Sequence, residues 1–308
     1  MFVKARSQIR ILARDPILLA LVAVIFVCIA LFVVFPLLKV FIASLQDREG
    51  WTLGNYALLG ERRLYRTALV NSLGVGALVG LVGVIIGYIA AFVLTRLDVP
   101  GKRLLHYLTI VPIVSPPFVS AVSILFLFGF NGLITKQLFG LQDFSIYGFQ
   151  GVVWSQVFTF APIAYLSLRG VLAAISPTLE DAALNVGASR WQTFWKVTFP
   201  LSLPGIASAF LIIFIESMAD FGNPLVLAGA AFPMLAPQAY LEITGSFNLA
   251  RGATLAVILV LPSMTAFAIQ RYYLSKRQYV TVTGKPTAST SKIVSEPVKW
   301  LLYAFVVA

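Results

Sequence analysis

Six long apolar runs separated by polar segments organise this chain, at approximately residues 17–43, 68–94, 105–130, 152–174, 206–227 and 253–269. A helix that crosses a bilayer needs roughly 20 apolar residues, so the pattern predicts six membrane-spanning helices. The third run contains Pro112, Pro116 and Pro117. Proline removes a backbone donor and clashes with the preceding turn, so this helix is expected to kink against neighbours that shelter the freed carbonyls. The second run carries Gly74, Gly76, Gly80, Gly83 and Gly87, which permit close helix approach, and is expected inside the bundle and away from its lipid-facing rim.

The polar segment between the fourth and fifth runs is the most structured of the connections. Its sequence is "LEDAALNVGASRWQTFWKVTFPLSLPGI". Ser176-Pro177 supplies a capping hydroxyl and a first-turn proline, with Glu180 and Asp181 near the positive end of the helix that follows. Gly187 offers the left-handed residue that stops this helix. Ser189-Arg190-Trp191-Gln192 then fits a capping box, predicting a second short helix from Ser189 to about Thr198 that Pro200 ends. That helix carries Trp191, Phe194 and Trp195 beside Arg190, Gln192 and Lys196. Such a face either rests on the bilayer surface or inserts into a groove of a soluble partner, and the residues alone leave both open.

Beyond the sixth run, residues 271–297 are polar and basic and read as a cytoplasmic linker. Residues 298–308 begin another apolar segment that is too short to span, expected either to lie in the interface or to start a seventh span. Residues 1–16 are basic and precede an apolar run too long for a cleaved leader, so the first span is expected to be retained. Residues 17–270 then form one six-span domain, with the loop at 176–206 inside it.

Composition agrees with the pattern. With 59% hydrophobic and 11% charged residues and a mean hydropathy of +0.90, the chain has more apolar surface than a soluble domain could bury. The net charge of +11 is not a nucleic-acid signal here, because the basic residues cluster between apolar runs. Sixteen Lys and Arg fall on the side that holds the amino terminus and six on the other. The positive-inside bias therefore places the amino terminus, the loop at 176–206 and the linker in the cytoplasm. A single cysteine, Cys28, excludes an internal disulfide framework, and a single histidine, His106, excludes a multi-histidine site; no metal site is assigned.

Two carboxylates stand out in the fifth run. Glu216 and Asp220, within "ESMADFGNP", are spaced one helical turn apart and would lie roughly 15 to 21 Å into the membrane. Intramembrane carboxylates are costly and face a cavity or a partner. They could line a pathway for a cationic or metal substrate, or form a structural contact in which Asp220 accepts from free amides beside Gly222 and Pro224.

The order Glu180, Asp181, Ala182, Ala183, Gly187, Val197 and Phe199-Pro200 resembles the "EAA" loop of the permease subunits of bacterial ABC importers. Asp181 stands at the usual glutamate and Phe199 at the usual leucine before the proline. "TLGNYALL" and "TALVNSLGVG" resemble the start of the same family's shared core, so the resemblance extends over about residues 51–273. It implies an all-α polytopic membrane protein, a six-helix type I importer bundle in the bacterial inner membrane. The helix Ser189–Thr198 would be the cytoplasmic coupling helix between spans four and five. Coupling to the ATPase would then fall to Glu180, Asp181, Ala182, Ala183, Gly187, Ser189, Arg190, Trp191, Gln192, Phe194 and Trp195. "ADFGNP" and "PPFVSAVSILFLFGFNGLIT" resemble ferric-iron type permeases, many of which fuse two six-span halves; permeases for thiamine, putrescine, sulfate or phosphonates share much of the pattern.

The resemblance further implies a homodimeric cytoplasmic ATP-binding subunit, a periplasmic substrate-binding protein, and a second permease half or subunit. No G-x-x-x-x-G-K-[ST] loop occurs in the chain, so ATP and Mg are expected in the partner and no cofactor in this chain. A secondary transporter would have no use for the capped aromatic helix. An intramembrane hydrolase would need a catalytic pair such as Ser with Lys or His, or two facing aspartates, at membrane depth. A structural scaffold gives no reason for Glu216 and Asp220.

Overall fold

The computed structural model describes residues 16–47, 50–141, 144–274 and 294–307. Most of the amino-terminal segment 1–16 and of the linker 271–297 lies outside these residues. Among the described residues the regular secondary structure is all helical, apart from one isolated bridge between Gln46 and Trp51. We label the helices α1 Pro16–Ser44, α2 Gly54–Glu61, α3 Arg63–Arg96, α4 Lys102–Val114, α5 Pro117–Phe128, α6 Phe149–Ala174, α7 Pro177–Asn185, α8 Arg190–Ala219, α9 Gly222–Leu227, α10 Leu235–Thr244, α11 Leu249–Tyr272 and α12 Glu296–Val307. Six helical stretches among the described residues are long and apolar enough to cross a membrane: α1, α3, Phe118–Leu138, α6, α8 and α11.

The chain divides into two units, one comprising residues up to Leu58 with Ala239–Val257, the other Leu59–Gln238 with Ile258–Ala308. In the first unit, α1 is apolar all round except at Lys39, and its most apolar window has no buried residue, as suits a helix whose surroundings are lipid or another chain. Its end is pinned by Ser44, whose hydroxyl shares a hydrogen bond with the Tyr56 hydroxyl at 2.7 Å and whose carbonyl accepts from Asn55 and Thr254.

The second unit holds the hydrophobic core, built by α3, α6 and α8. The glycines of α3 make this possible. A Cβ on Gly87 would stand 2.6 Å from the Ala164 Cβ and 2.7 Å from the Tyr165 nitrogen, and one on Gly80 would stand 2.9 Å from the Phe210 ring. The backbones of α3, α6 and α8 therefore approach as closely as small residues allow.

Two expectations need correction. The third run is not one kinked helix: α4 ends at Val114, and Ser115 and Pro116 are both extended, with ψ of 139° and 145°. Each of these residues precedes a proline, whose ring disfavours helical backbone in its predecessor, so two consecutive prolines break the helix where one would bend it. The fifth run does not continue to 227 either. Asp220 is extended, α8 ends at Ala219, and a separate short helix α9 follows.

Candidate functional site

The loop between α6 and α8 is built as its sequence dictates. The Ser176 hydroxyl accepts from the Thr178 amide at 3.4 Å and Pro177 occupies the first turn of α7. At the other end Gly187 has φ of +89°, with its amide donating to the Leu184 carbonyl and that of Ala188 to the Ala183 carbonyl, both at 3.0 Å. This pair of bonds is a Schellman motif, which closes α7 through a left-handed residue. The Ser189 hydroxyl accepts from the Gln192 amide at 3.2 Å, and the Gln192 side chain accepts from the Ser189 amide at 2.9 Å, completing the capping box.

Pro200 does not end the second helix, contrary to expectation. Residues Arg190–Thr193 pass through a π-helical turn, Phe194–Thr198, straight into the long helix, so the loop helix and the fifth span are one element, α8. In the wider turn the Phe199 amide donates to the Phe194 carbonyl. Pro200 cannot donate at all, and a π turn placed just before it accommodates the missing bond without stopping the helix.

The face of α8 that begins the loop is aromatic and open. Trp191 is 69% and Trp195 44% exposed, packed edge to face with ring centroids 5.4 Å apart. Phe194 turns inward, its ring edge-on to Phe92 of α3 at 5.8 Å. Arg190, Gln192, Asp181, Ala182 and Gly187 are exposed, as is the Ser189 cap, whereas Ala183 is half-buried. Glu180, unlike its neighbour Asp181, is turned away from the open face. It is buried, and its Oε1 accepts from Arg96 Nη2 at 2.7 Å and from the Thr198 hydroxyl at 2.8 Å. Arg96 and Thr198 escape sequence reasoning, because Arg96 lies 84 residues before its partner and reads as an ordinary basic residue at a span end.

The two carboxylates of the fifth run separate. Glu216 is on α8 and exposed. Asp220, beyond the helix end and thus off its face, is buried, accepting from Gln156 Nε2 at 2.8 Å, Asn223 Nδ2 at 2.9 Å and the Asn223 amide at 3.3 Å. Ser217 in turn donates to the Gln156 side-chain carbonyl. Asp220 thus holds the break between α8 and α9 closed against α6. Gln156, Ser217 and Asn223 were not singled out from sequence, although a glutamine inside the apolar run of α6 is a signal that could have been read. Phe221, at the break, lies edge-on to Phe118 at the start of α5, with ring centroids 6.5 Å apart, so the interruptions of the third and fifth spans adjoin.

Six candidate spans, with an open, doubly capped aromatic loop between the fourth and fifth, define a polytopic membrane protein, and its fold is that of the type I importer permeases. Residues 83–278 match the family model for the binding-protein-dependent transport system inner membrane component, and the chain belongs to that family, the permeases of ABC importers. It is 35% identical over 287 residues to the ferric transport system permease protein FbpB of Actinobacillus pleuropneumoniae, covering 91% of this chain and 42% of that protein. A putative ferric transport system permease of Haemophilus influenzae is 34% identical, with 91% of this chain and 45% of that protein covered. The molybdate/tungstate permease WtpB of Thermococcus kodakarensis is 27% identical over 68% of this chain and 79% of its own length. The chain thus spans less than half the length of the two ferric relatives. Among solved structures, a bacterial alginate ABC transporter chain superposes with a TM-score of 0.75 at 15% identity, over 89% of this chain and 99% of that one, a likeness of fold.

Proposed function

We propose that this chain is a permease half of an ATP-driven importer of ferric iron in the bacterial inner membrane, with its amino terminus in the cytoplasm. The observation that carries the import mechanism is the exposed Trp191–Trp195 face on a helix continuous with the fifth span. An open tryptophan pair flanked by Arg190 is the composition of an interface hot spot, and a cytoplasmic ATP-binding subunit is the partner it fits. Nucleotide-driven closure of paired ATPase subunits then moves α8, and the bundle alternates between outward- and inward-open states. A periplasmic binding protein delivers the cargo. A second permease half or subunit completes the pathway and supplies a second coupling helix.

Iron is favoured over oxyanions by two observations. The ferric relatives match 91% of the chain, against 68% for the molybdate/tungstate relative above. Glu216 is also an exposed carboxylate on an apolar span, and a carboxylate is not left facing lipid. Turned towards a pathway shared with the second half, it attracts a cation and repels molybdate.

Proteoliposomes containing the full-length permease, the ATP-binding subunit and the binding protein test the proposal. ATP-dependent uptake of radiolabelled ferric iron is expected, with no uptake of molybdate. Molybdate uptake without iron uptake would make the oxyanion reading correct, and uptake of either without ATP would remove the ATPase from the mechanism.

A further inference from the structure

Tyr88, Phe92 and Arg96 recur at every fourth position of α3 and so form one stripe along its last turns. Each meets the segment from α7 to the first turns of α8. The Tyr88 ring is edge-on to Phe199 at 6.4 Å, and its hydroxyl accepts from Ser202 at 3.3 Å. Phe92 is edge-on to Phe194. Arg96 pairs with Glu180, and the Glu180 oxygen that takes the guanidinium also takes the Thr198 hydroxyl. One carboxylate oxygen therefore joins the end of α3, the helix α7 and the π turn of α8.

The side chains of Arg96 and Glu180 are only 4% and 2% exposed, and Arg96 Nε has no hydrogen-bond partner among the described residues. A buried ion pair contributes little to stability compared with an apolar pair of the same volume, and here it also leaves a donor unmet. What such a pair does supply is a fixed register between elements, because neither charge can leave the other without entering apolar surroundings unpaired.

We propose that Arg96 is a positioning residue for energy coupling: its ion pair with Glu180, braced by Thr198, binds α3 to the coupling segment, so that displacement of the Trp191 face moves the second span together with the fifth. This rests on the reading of the Trp191–Trp195 face as the ATPase dock. The motor's stroke then enters the bundle at two places, through the continuous backbone of α8 and through the Arg96–Glu180 contact into the helix whose glycines hold α6 and α8 together.

The test uses the full-length permease assembled with its ATP-binding subunit, and needs no knowledge of the cargo. Spin labels at Asp98, just beyond α3, and Thr178, on α7, both exposed positions, report whether the two elements move as one. In the otherwise wild-type complex the distance between labels is expected to stay the same, with the same spread, in the nucleotide-free and ATP-bound states. In Arg96→Leu/Glu180→Leu, which removes both buried charges and so avoids an unpaired one, the distance is expected to shift by several ångströms on ATP binding. The charge-exchanged variant Arg96→Glu/Glu180→Arg is expected to restore the single distance, and serves as the second probe if the apolar variant does not assemble. An apolar variant with the wild-type distance in both states overturns the proposal, as does an exchanged variant that assembles but shows two distances. Failure of the ATP-binding subunit to bind the wild-type permease overturns the docking reading itself, and is distinguished because it appears before any label is read.

Discussion

Gln156 and Asp220 face each other across the end of α8, the amide Nε2 donating to the carboxylate Oδ2 at 2.8 Å in a buried site. All the partners named for this carboxylate are donors, so it is suited as an acceptor and poorly replaced by an amide. Asp220→Asn presents an NH2 group to the donors of Gln156 and Asn223. The expected loss is about 1–3 kcal/mol, seen as a lowered melting temperature in detergent. Glu216→Gln changes an exposed group and is expected to leave the melting temperature unchanged while lowering iron uptake. Unaltered uptake in Glu216→Gln removes this residue from the pathway.

Trp191→Ala truncates the most open aromatic of the loop. Removal of a hot-spot tryptophan costs about 2 kcal/mol or more, roughly thirty-fold in affinity, so the variant permease is expected to co-purify poorly with the ATP-binding subunit at unchanged thermal stability. Gly187→Asp, at a position with φ of +89°, is expected to impair both assembly and the local helix end.

Ser189→Ala removes the hydroxyl half of the capping box. The expected cost is about 1 kcal/mol, read by hydrogen exchange as faster exchange of the amides at 190–192, with protection in α3 unchanged. Equal acceleration in both helices would show that the cap holds more than its own turn.

Gly87→Leu and Gly74→Leu form a contrasting pair on one helix. Gly87 is pressed against Ala164 and Tyr165, whereas a Cβ on Gly74 meets nothing within 4 Å. The first substitution is expected to prevent folding of the bundle, scored by loss of a monodisperse peak in detergent, and the second to be silent. A silent Gly87→Leu would mean that α3 and α6 can separate without loss.

Much of the bundle could be read from the chain because the bilayer enforces a simple length rule, which places α1, α3, α6 and α11 within a few residues of their apolar runs. The caps at Ser176, Gly187 and Ser189 were equally legible, since each depends on residues within five positions of one another. What failed were inferences from single residues whose effect depends on neighbours. Pro200 looked like a stop but sits after a π turn. Pro116 and Pro117 together break a helix that one proline would have bent. The burial of Glu180 was not legible because its partner Arg96 lies 84 residues away at the end of α3, and no local pattern announces a pairing across that separation. For Asp220 the sequence left open a pathway role and a contact with amides beside Gly222 and Pro224, and its partner Gln156, which comes from α6, had no local signal.

The absence of a break at Pro200 has a mechanical consequence. From Trp191 to Glu216 the backbone runs as a single helix, and at 1.5 Å per residue this is a rod on the order of 38 Å long. A tilt of about 5° at the Trp191 end would sweep the far end sideways by roughly 3 Å, comparable to the width of a water molecule, if the rod stays stiff. A separate loop helix on a flexible joint would lose that motion in the joint. With the two fused, a displacement of the Trp191 end of α8 reaches Glu216 through unbroken helix.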